Sequence, residues 1–156
     1  MQSAIAQSDI ETTDLTFEDF DLSPPLLDVL EDQGFTHPTR IQAEGIPIAM
    51  EGRDLVGLAQ TGSGKTAAFC LPMVERLYHS EGVRGLIVCP TREIALQTRA
   101  FLDLFTEDHQ LKTACLIGGV KYGPQLQDLR RGPDIVVATP GRLLDHAGRR
   151  TVRLDG

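Results

Sequence analysis

Apolar residues along this chain fall into two rhythms. Short apolar runs without strict alternation occupy 54–58, 85–89, 113–117 and 134–138. Runs of that length and kind predict strands buried on both faces of a parallel sheet. Between and after them, apolar residues recur at three- and four-residue spacing over 65–79, 92–106, 122–131 and 141–147. That spacing predicts helices, and the alternation of strand with helix predicts an α/β fold with a helix-covered parallel sheet. Ahead of the first strand, Ser23-Pro24-Pro25 marks a helix start: serine as cap, prolines where no N–H is needed. Leu26, Leu27, Val29 and Leu30 form its buried side, and Gly34 is its stop. Thr39 is placed to cap a second helix carrying Ile41, Ile46 and Ile48, with Pro47 expected to bend it. Residues 1–14, polar and aperiodic, read as a flexible acidic tail.

Ligands of such sheets bind beyond the carboxyl ends of the strands, so the following turns carry the chemistry. After 54–58 comes Ala59-Gln60-Thr61-Gly62-Ser63-Gly64-Lys65-Thr66. Strand, glycine-rich turn and helix together make a phosphate-binding loop: Gly62 and Gly64 free the backbone, and successive N–H groups surround a di- or triphosphate. Lys65 would reach the β- and γ-phosphates, and the Thr66 hydroxyl would ligate Mg²⁺. The motif's first glycine is replaced by Ala59, and the plain alternative is a turn that holds nothing. After the other strands come Pro90-Thr91-Arg92-Glu93, Gly118-Gly119 and Thr139-Pro140-Gly141-Arg142. All four turns are expected on one edge, where hydroxyls, glycine N–H groups, helix N-termini and arginines suit phosphate backbones. Caps and turn glycines are the plain alternative.

The 156 residues are one domain or most of one, 41% apolar and 24% charged, ordinary for a globular chain. No apolar run approaches a membrane span, and no secretory signal is visible. Cys70, Cys89 and Cys115 lie inside apolar segments, without metal-ligand spacing, and read as buried thiols in a reducing cytoplasm. The net charge of −7 argues against a nucleic-acid partner until its distribution is considered. Residues 1–54 hold two basic side chains against twelve acidic, whereas residues 112–153 hold eight basic against three acidic. Such asymmetry points to polyanion contact on one side or to a solvated basic face.

These motifs, in this order, resemble the N-terminal RecA-like domain of the DEAD-box RNA helicases. Residues 34–42, Gly-Phe-Thr-His-Pro-Thr-Arg-Ile-Gln, resemble the family's Q motif, with Phe17 as its upstream aromatic. Ala59 to Thr66 matches the helicase form of the phosphate loop. Pro90 to Ala95 resembles motif Ia, with Ile94 where leucine is commoner; Gly118-Gly119 and Thr139 to Arg142 resemble the GG and Ib motifs. The resemblance implies a RecA-like three-layer fold, incomplete at its C-terminal end, divided into a tail (1–14), a Q-motif region (15–43) and the domain proper (44–156). It implies ATP and Mg²⁺ as cofactors. Phe17, Arg40, Gln42 and residues 59–66 would bind nucleotide, with Lys65 and Thr66 catalytic and Thr66 on the metal. Gln42 has the acceptor and donors to pair with adenine, and Phe17 could cover the ring. A core phenylalanine and a surface glutamine are the alternatives. The sequence has no asparagine, so the guanine-reading Asn-Lys-x-Asp motif is absent. Pro90, Thr91, Arg92, Gly119, Thr139, Gly141 and Arg142 would touch the sugar-phosphate backbone of one RNA strand.

The family pattern then expects a strand ending in Asp-Glu-Ala-Asp, but the chain contains no Asp-Glu dipeptide. The resemblance therefore implies a fragment whose missing acids would orient the attacking water, and whose parent carries a second RecA-like domain. Weak adenine-nucleotide binding with almost no hydrolysis is expected of the piece alone. The competing readings are a non-catalytic RNA-binding or scaffolding fragment and another phosphate-loop NTPase.

Overall fold

The computed structural model describes residues 11–77, 84–106 and 110–154. They fall into two compact units, Met1–Pro72 and Met73–Gly156, each taken by itself below.

The first unit begins with a single 3-10 turn, Phe17–Asp19, followed by α1 (Pro24–Asp32) and α2 (Arg40–Met50). Ser23 stands before α1 with extended backbone, and its carbonyl accepts from the Leu26 and Leu27 N–H groups. Helix α1 ends as its sequence demands. Gly34 takes φ +77°, the Phe35 N–H reaches the Leu30 carbonyl at 2.8 Å, and the Gly34 N–H reaches Glu31 at 2.9 Å. That pair of bonds satisfies carbonyls the helix leaves open, and needs a left-handed residue that glycine supplies without penalty. Leu26 and Leu30 of α1 and Ile46 of α2 are wholly buried. Helix α2 runs on through Pro47.

Two expectations change here. The flexible tail expected over residues 1–14 is shorter at its inner end: residues 1–10 lie outside the described residues, but Thr12 forms an antiparallel bridge with Thr39. Beside it the Thr13 N–H donates to the Pro38 carbonyl at 2.9 Å, so ordered chain already includes these two residues. The strand expected at 54–58 does not form: Val56 and Leu58 are 88% and 90% exposed. An apolar run becomes a strand only when a neighbour pairs its N–H and C=O groups. Among the described residues this one has none. Instead Leu55 and Gly57 lie along α2: positions for a Cβ at Gly45 and at Gly57 come within 3.3 and 3.4 Å of Leu55 and Ile41, respectively.

Helix α3 (Lys65–Leu77) crosses from the first unit into the second. The second unit is the layered sheet read from the sequence. Strands β1 (Gly85–Val88), β2 (Thr113–Leu116) and β3 (Ile135–Ala138) are all parallel, in the order β1-β3-β2. Between and after them come α4 (Arg92–Thr106), α5 (Tyr122–Arg130) and α6 (Pro140–Gly148). The central strand β3 is buried throughout. Side chains alternate faces along a strand. On one face Ala114, Leu116, Val136 and Ala138 pack with Leu129 of α5, Leu143 of α6 and Val152. On the other, Thr113 hydrogen-bonds Asp103 of α4 at 2.6 Å. Strand β1 departs from burial on both faces, since Leu86 and Val88 are 40% and 51% exposed. At the amino ends of the strands, Asp134 accepts from Arg84 Nη2 at 3.3 Å and from the Lys112 N–H at 2.8 Å. Its carboxylate thus joins the entrances of β1 and β2 to that of β3.

Among the described residues no helix is long and apolar enough to cross a membrane. All three cysteines are buried and unbridged, and burial pushes the Cys115 thiol up from its ordinary range.

Candidate functional site

The glycine-rich turn has the backbone its sequence promised. Gly62 and Gly64 take φ +83° and +90°, and Lys65 and Thr66 open α3 directly behind them. Lys65 Nζ donates to the carbonyls of Ala59 and Gln60, folding its ammonium onto the loop. Ser63 Oγ is buried with no hydrogen-bond partner. A helix N-terminus, an ammonium at the turn and an orphaned hydroxyl suit a polyphosphate: every one of these groups is able to serve an anion. Thr66 is half-buried in the first turn of α3, where a hydroxyl can reach a metal on that phosphate.

Two side chains of the first unit grip this turn. Thr39 Oγ donates to the Ser63 carbonyl at 2.8 Å, and Gln42 Nε2 donates to the Gly64 carbonyl at 3.1 Å. Gln42 Oε1 meanwhile accepts from the Thr39 N–H at 2.9 Å, half of a capping box at the start of α2. Gln42 is therefore 2% exposed rather than a surface residue, and one amide proton remains for a ligand. Gly64 cannot be replaced, because a Cβ there would stand 2.9 Å from Thr39 Oγ and closer still to Gln42 Nε2.

Beside this grip opens a cavity of about 240 Å³, lined by Thr12, Phe35, Thr36, His37, Gln42 and Gly64 among others. Phe17 does not line it. Its ring is 4% exposed and packs edge-on against Phe20 at 6.0 Å and Phe35 at 6.4 Å. Arg40 also stands outside the cavity, paired with Glu44 at 2.8 Å on the surface of α2. Phe35, Thr36 and His37 belong to the stretch singled out in the sequence, but no motif logic distinguished them as wall residues.

In the second unit, parallel register brings three turns to one edge. Val88 and Leu116 both lie level with Ala138, so Pro90 to Arg92, Gly119, and Thr139 to Arg142 all leave the same end of the sheet. Thr91 Oγ accepts from the Ile94 N–H at 3.3 Å, capping α4. Thr139 precedes α6 with Pro140 in its first turn. The Arg92 guanidinium lies where a Cβ of Gly119 would be, and Gly119 itself takes φ +75°. Arg142 Nη1 donates to the Val120 carbonyl at 3.4 Å. Two arginines thus converge on the Gly118-Gly119 turn, beside two helix N-termini. Guanidinium groups and helix N-termini placed this way suit the phosphates of an anionic strand and offer nothing that reads its bases.

A third cluster carries no motif by which the sequence alone would mark it. The Tyr122 ring stacks on His146, centroids 4.2 Å apart and planes within 10°. The guanidinium carbons of Arg149 and Arg142 lie 4.9 and 5.6 Å from the Tyr122 centroid. Thr151 Oγ donates to the His146 carbonyl at 3.0 Å and contacts His146 Nδ1 at 2.8 Å and the Tyr122 hydroxyl at 3.1 Å. A hydroxyl has one proton and the carbonyl can only accept, so Nδ1 and the phenol must both donate. Nε2 is then a bare lone pair, buried without a partner. Burial, reinforced by Arg142 and Arg149 against a smaller opposing pull from Asp145, holds the His146 pKa below its ordinary value.

Comparison with known proteins gives one family throughout. The DEAD/DEAH box helicase sequence pattern matches residues 39–155. The chain is 45% identical over 139 residues to the ATP-dependent rRNA helicase RRP3 of Candida albicans, covering 88% of this chain and 26% of that protein. It is 43% identical over 142 residues to the DEAD-box ATP-dependent RNA helicase CshA of Bacillus subtilis, covering 90% and 29%. In three dimensions it is similar to a DEAD box protein from the hyperthermophile Methanococcus jannaschii, with TM-score 0.84 and 38% identity. That match covers 89% of this chain and 38% of the other. The chain spans less than a third of the length of both curated relatives.

Proposed function

Because this chain belongs to the DEAD/DEAH box helicase family, we propose that it is the nucleotide-binding part of an ATP-dependent RNA helicase. The parent would remodel RNA duplexes through contacts with the sugar-phosphate backbone. The observation that carries this reading is the turn at 59–66: two left-handed glycines at a helix start, with Lys65 folded onto the loop.

In this reading Lys65 exchanges the Ala59 and Gln60 carbonyls for phosphate oxygens, while the N–H groups of Gly62, Ser63 and Gly64 bind the same charge. Gln42 offers its remaining amide proton to adenine beside the cavity, and Phe35, with Phe17 packed against it, covers the base. Arg40 would have to leave Glu44 to join them. Mg²⁺, held through Thr66, would neutralise charge on the phosphates when bound. Pro90, Thr91, Arg92, Gly119, Thr139, Gly141 and Arg142 hold one RNA strand. A second RecA-like domain in the parent completes the catalytic machinery, and the unbridged thiols suit a reducing, cytoplasmic setting.

Equilibrium binding of fluorescent adenine and guanine nucleotides to the 156-residue chain tests this. Adenine nucleotide should be preferred, and Lys65→Ala should remove at least nine-tenths of the affinity, on the scale of a charge-assisted contact of about 1.5–3 kcal/mol. Equal binding by the variant, or equal binding of both bases, refutes the reading.

A further inference from the structure

We infer that Tyr122 is a positioning residue for RNA: its ring holds the Arg142 guanidinium at the strand-end edge, and His146 with Thr151 fixes the ring. The inference rests on the reading that Arg142 contacts an RNA backbone.

Arg142 and Arg149 are not equivalent. Arg149 is committed to Asp145 through an ion pair at 2.9 Å. Arg142 makes no ion pair among the described residues, and its hydrogen bond to the Val120 carbonyl is long at 3.4 Å. A long side chain held so lightly would sample many rotamers and lose that freedom on binding. The Tyr122 π-face, 5.6 Å from its guanidinium carbon, supplies a second restraint that leaves the charge uncompensated. The ring is itself held on one face and at its hydroxyl. His146, wholly buried, stacks against it at 4.2 Å, and the phenol is tied to Thr151 at 3.1 Å. Tyr122 opens α5 directly after the Gly118 to Lys121 turn, so the ring beside Arg142 is rooted at the end of that turn.

Binding of a fluorescein-labelled oligouridine to the chain reads this out. Tyr122→Leu, which removes the π-face, should weaken binding about three- to tenfold, the range expected for a restrained cation–π partner. Tyr122→Phe keeps the ring and should bind as the unaltered chain does. In an Arg142→Ala background, Tyr122→Leu should cost nothing further, a coupling that general damage to the fold would not produce. Equal losses in both backgrounds, or a Phe variant as weak as the Leu variant, overturn the inference. So does a silent Tyr122→Leu beside a weakened Arg142→Ala, which leaves the RNA reading standing. If Arg142→Ala itself binds normally, the RNA reading of that residue fails and the inference with it. A measurement on the unaltered chain guards against variants that do not fold: the Arg142 Cδ protons should resonate upfield through the ring current of Tyr122. Random-coil positions for them contradict the geometry.

Discussion

Gly64 is the residue on which the proposed nucleotide site turns. Its φ of +90° and the side chains of Gln42 and Thr39 leave neither conformational nor physical space for a Cβ. Gly64→Ala should destabilise the chain by about 1–3 kcal/mol and abolish nucleotide binding, measured by denaturant titration and fluorescent nucleotide. Gln42→Ala removes a capping partner and a tie to the loop, and should lower stability by about 1 kcal/mol while weakening adenine binding. A variant as stable as the parent would show that the tie is ornamental. The loop was legible because glycine spacing before a lysine is a local signal. The role of Gln42 as a clamp was not, because its partner lies 22 residues further along the chain. For Phe17 the residues alone leave two readings, a cover for the base or a core ring, and its burial against Phe20 and Phe35 favours the second.

Helices were read from periodicity to within a residue or two, because amphipathic spacing reports a face that must be covered. Strands 85–88, 113–116 and 135–138 were read almost as well. The run at 54–58 was not, although its composition is equally apolar. A strand is a property of a pair, and composition does not say whether a neighbour is present. Helix α6 carries a pH dependence. Since the folded pKa of His146 lies below its ordinary value near 6.5, the unfolded chain binds more protons as pH falls. The stabilisation is therefore complete above the unfolded pKa and is lost as pH drops through about 6.5 toward the folded value. Besides Tyr122 and Thr151, the groups facing the ring are Arg142, Asp145 and Arg149. Denaturation between pH 7.5 and 5.5 should show stability falling by at most about 1.4 kcal/mol per pH unit from this group, and His146→Asn should flatten the profile. At the other end of the sheet, Asp134→Ala should cost about 1–3 kcal/mol, because it leaves the Lys112 N–H and Arg84 without their shared acceptor.

For the molecule as a whole, charge is divided along the sequence, and net charge alone would have pointed away from RNA. Arg92 and Arg142 are two of the cations at the strand-end edge. If both meet phosphate, the logarithm of the single-strand binding constant should fall against log salt with slope about −1.4. A slope near zero would mean that neither does. Strand β1 pairs only with β3 among the described residues, and Leu86 and Val88 stand half open beside that free edge. Such an edge invites further pairing. Sedimentation should detect association that grows with concentration and that Leu86→Lys suppresses.

The bridge between Thr12 and Thr39 reaches further than its size suggests. Thr39 is also the residue that holds Ser63, so the polypeptide entering the domain is one residue removed from the grip on the triphosphate turn. A change at that entrance should be felt at the proposed nucleotide site. Shortened versions starting after Asp14 should consequently show faster amide exchange at Ser63 and Gly64.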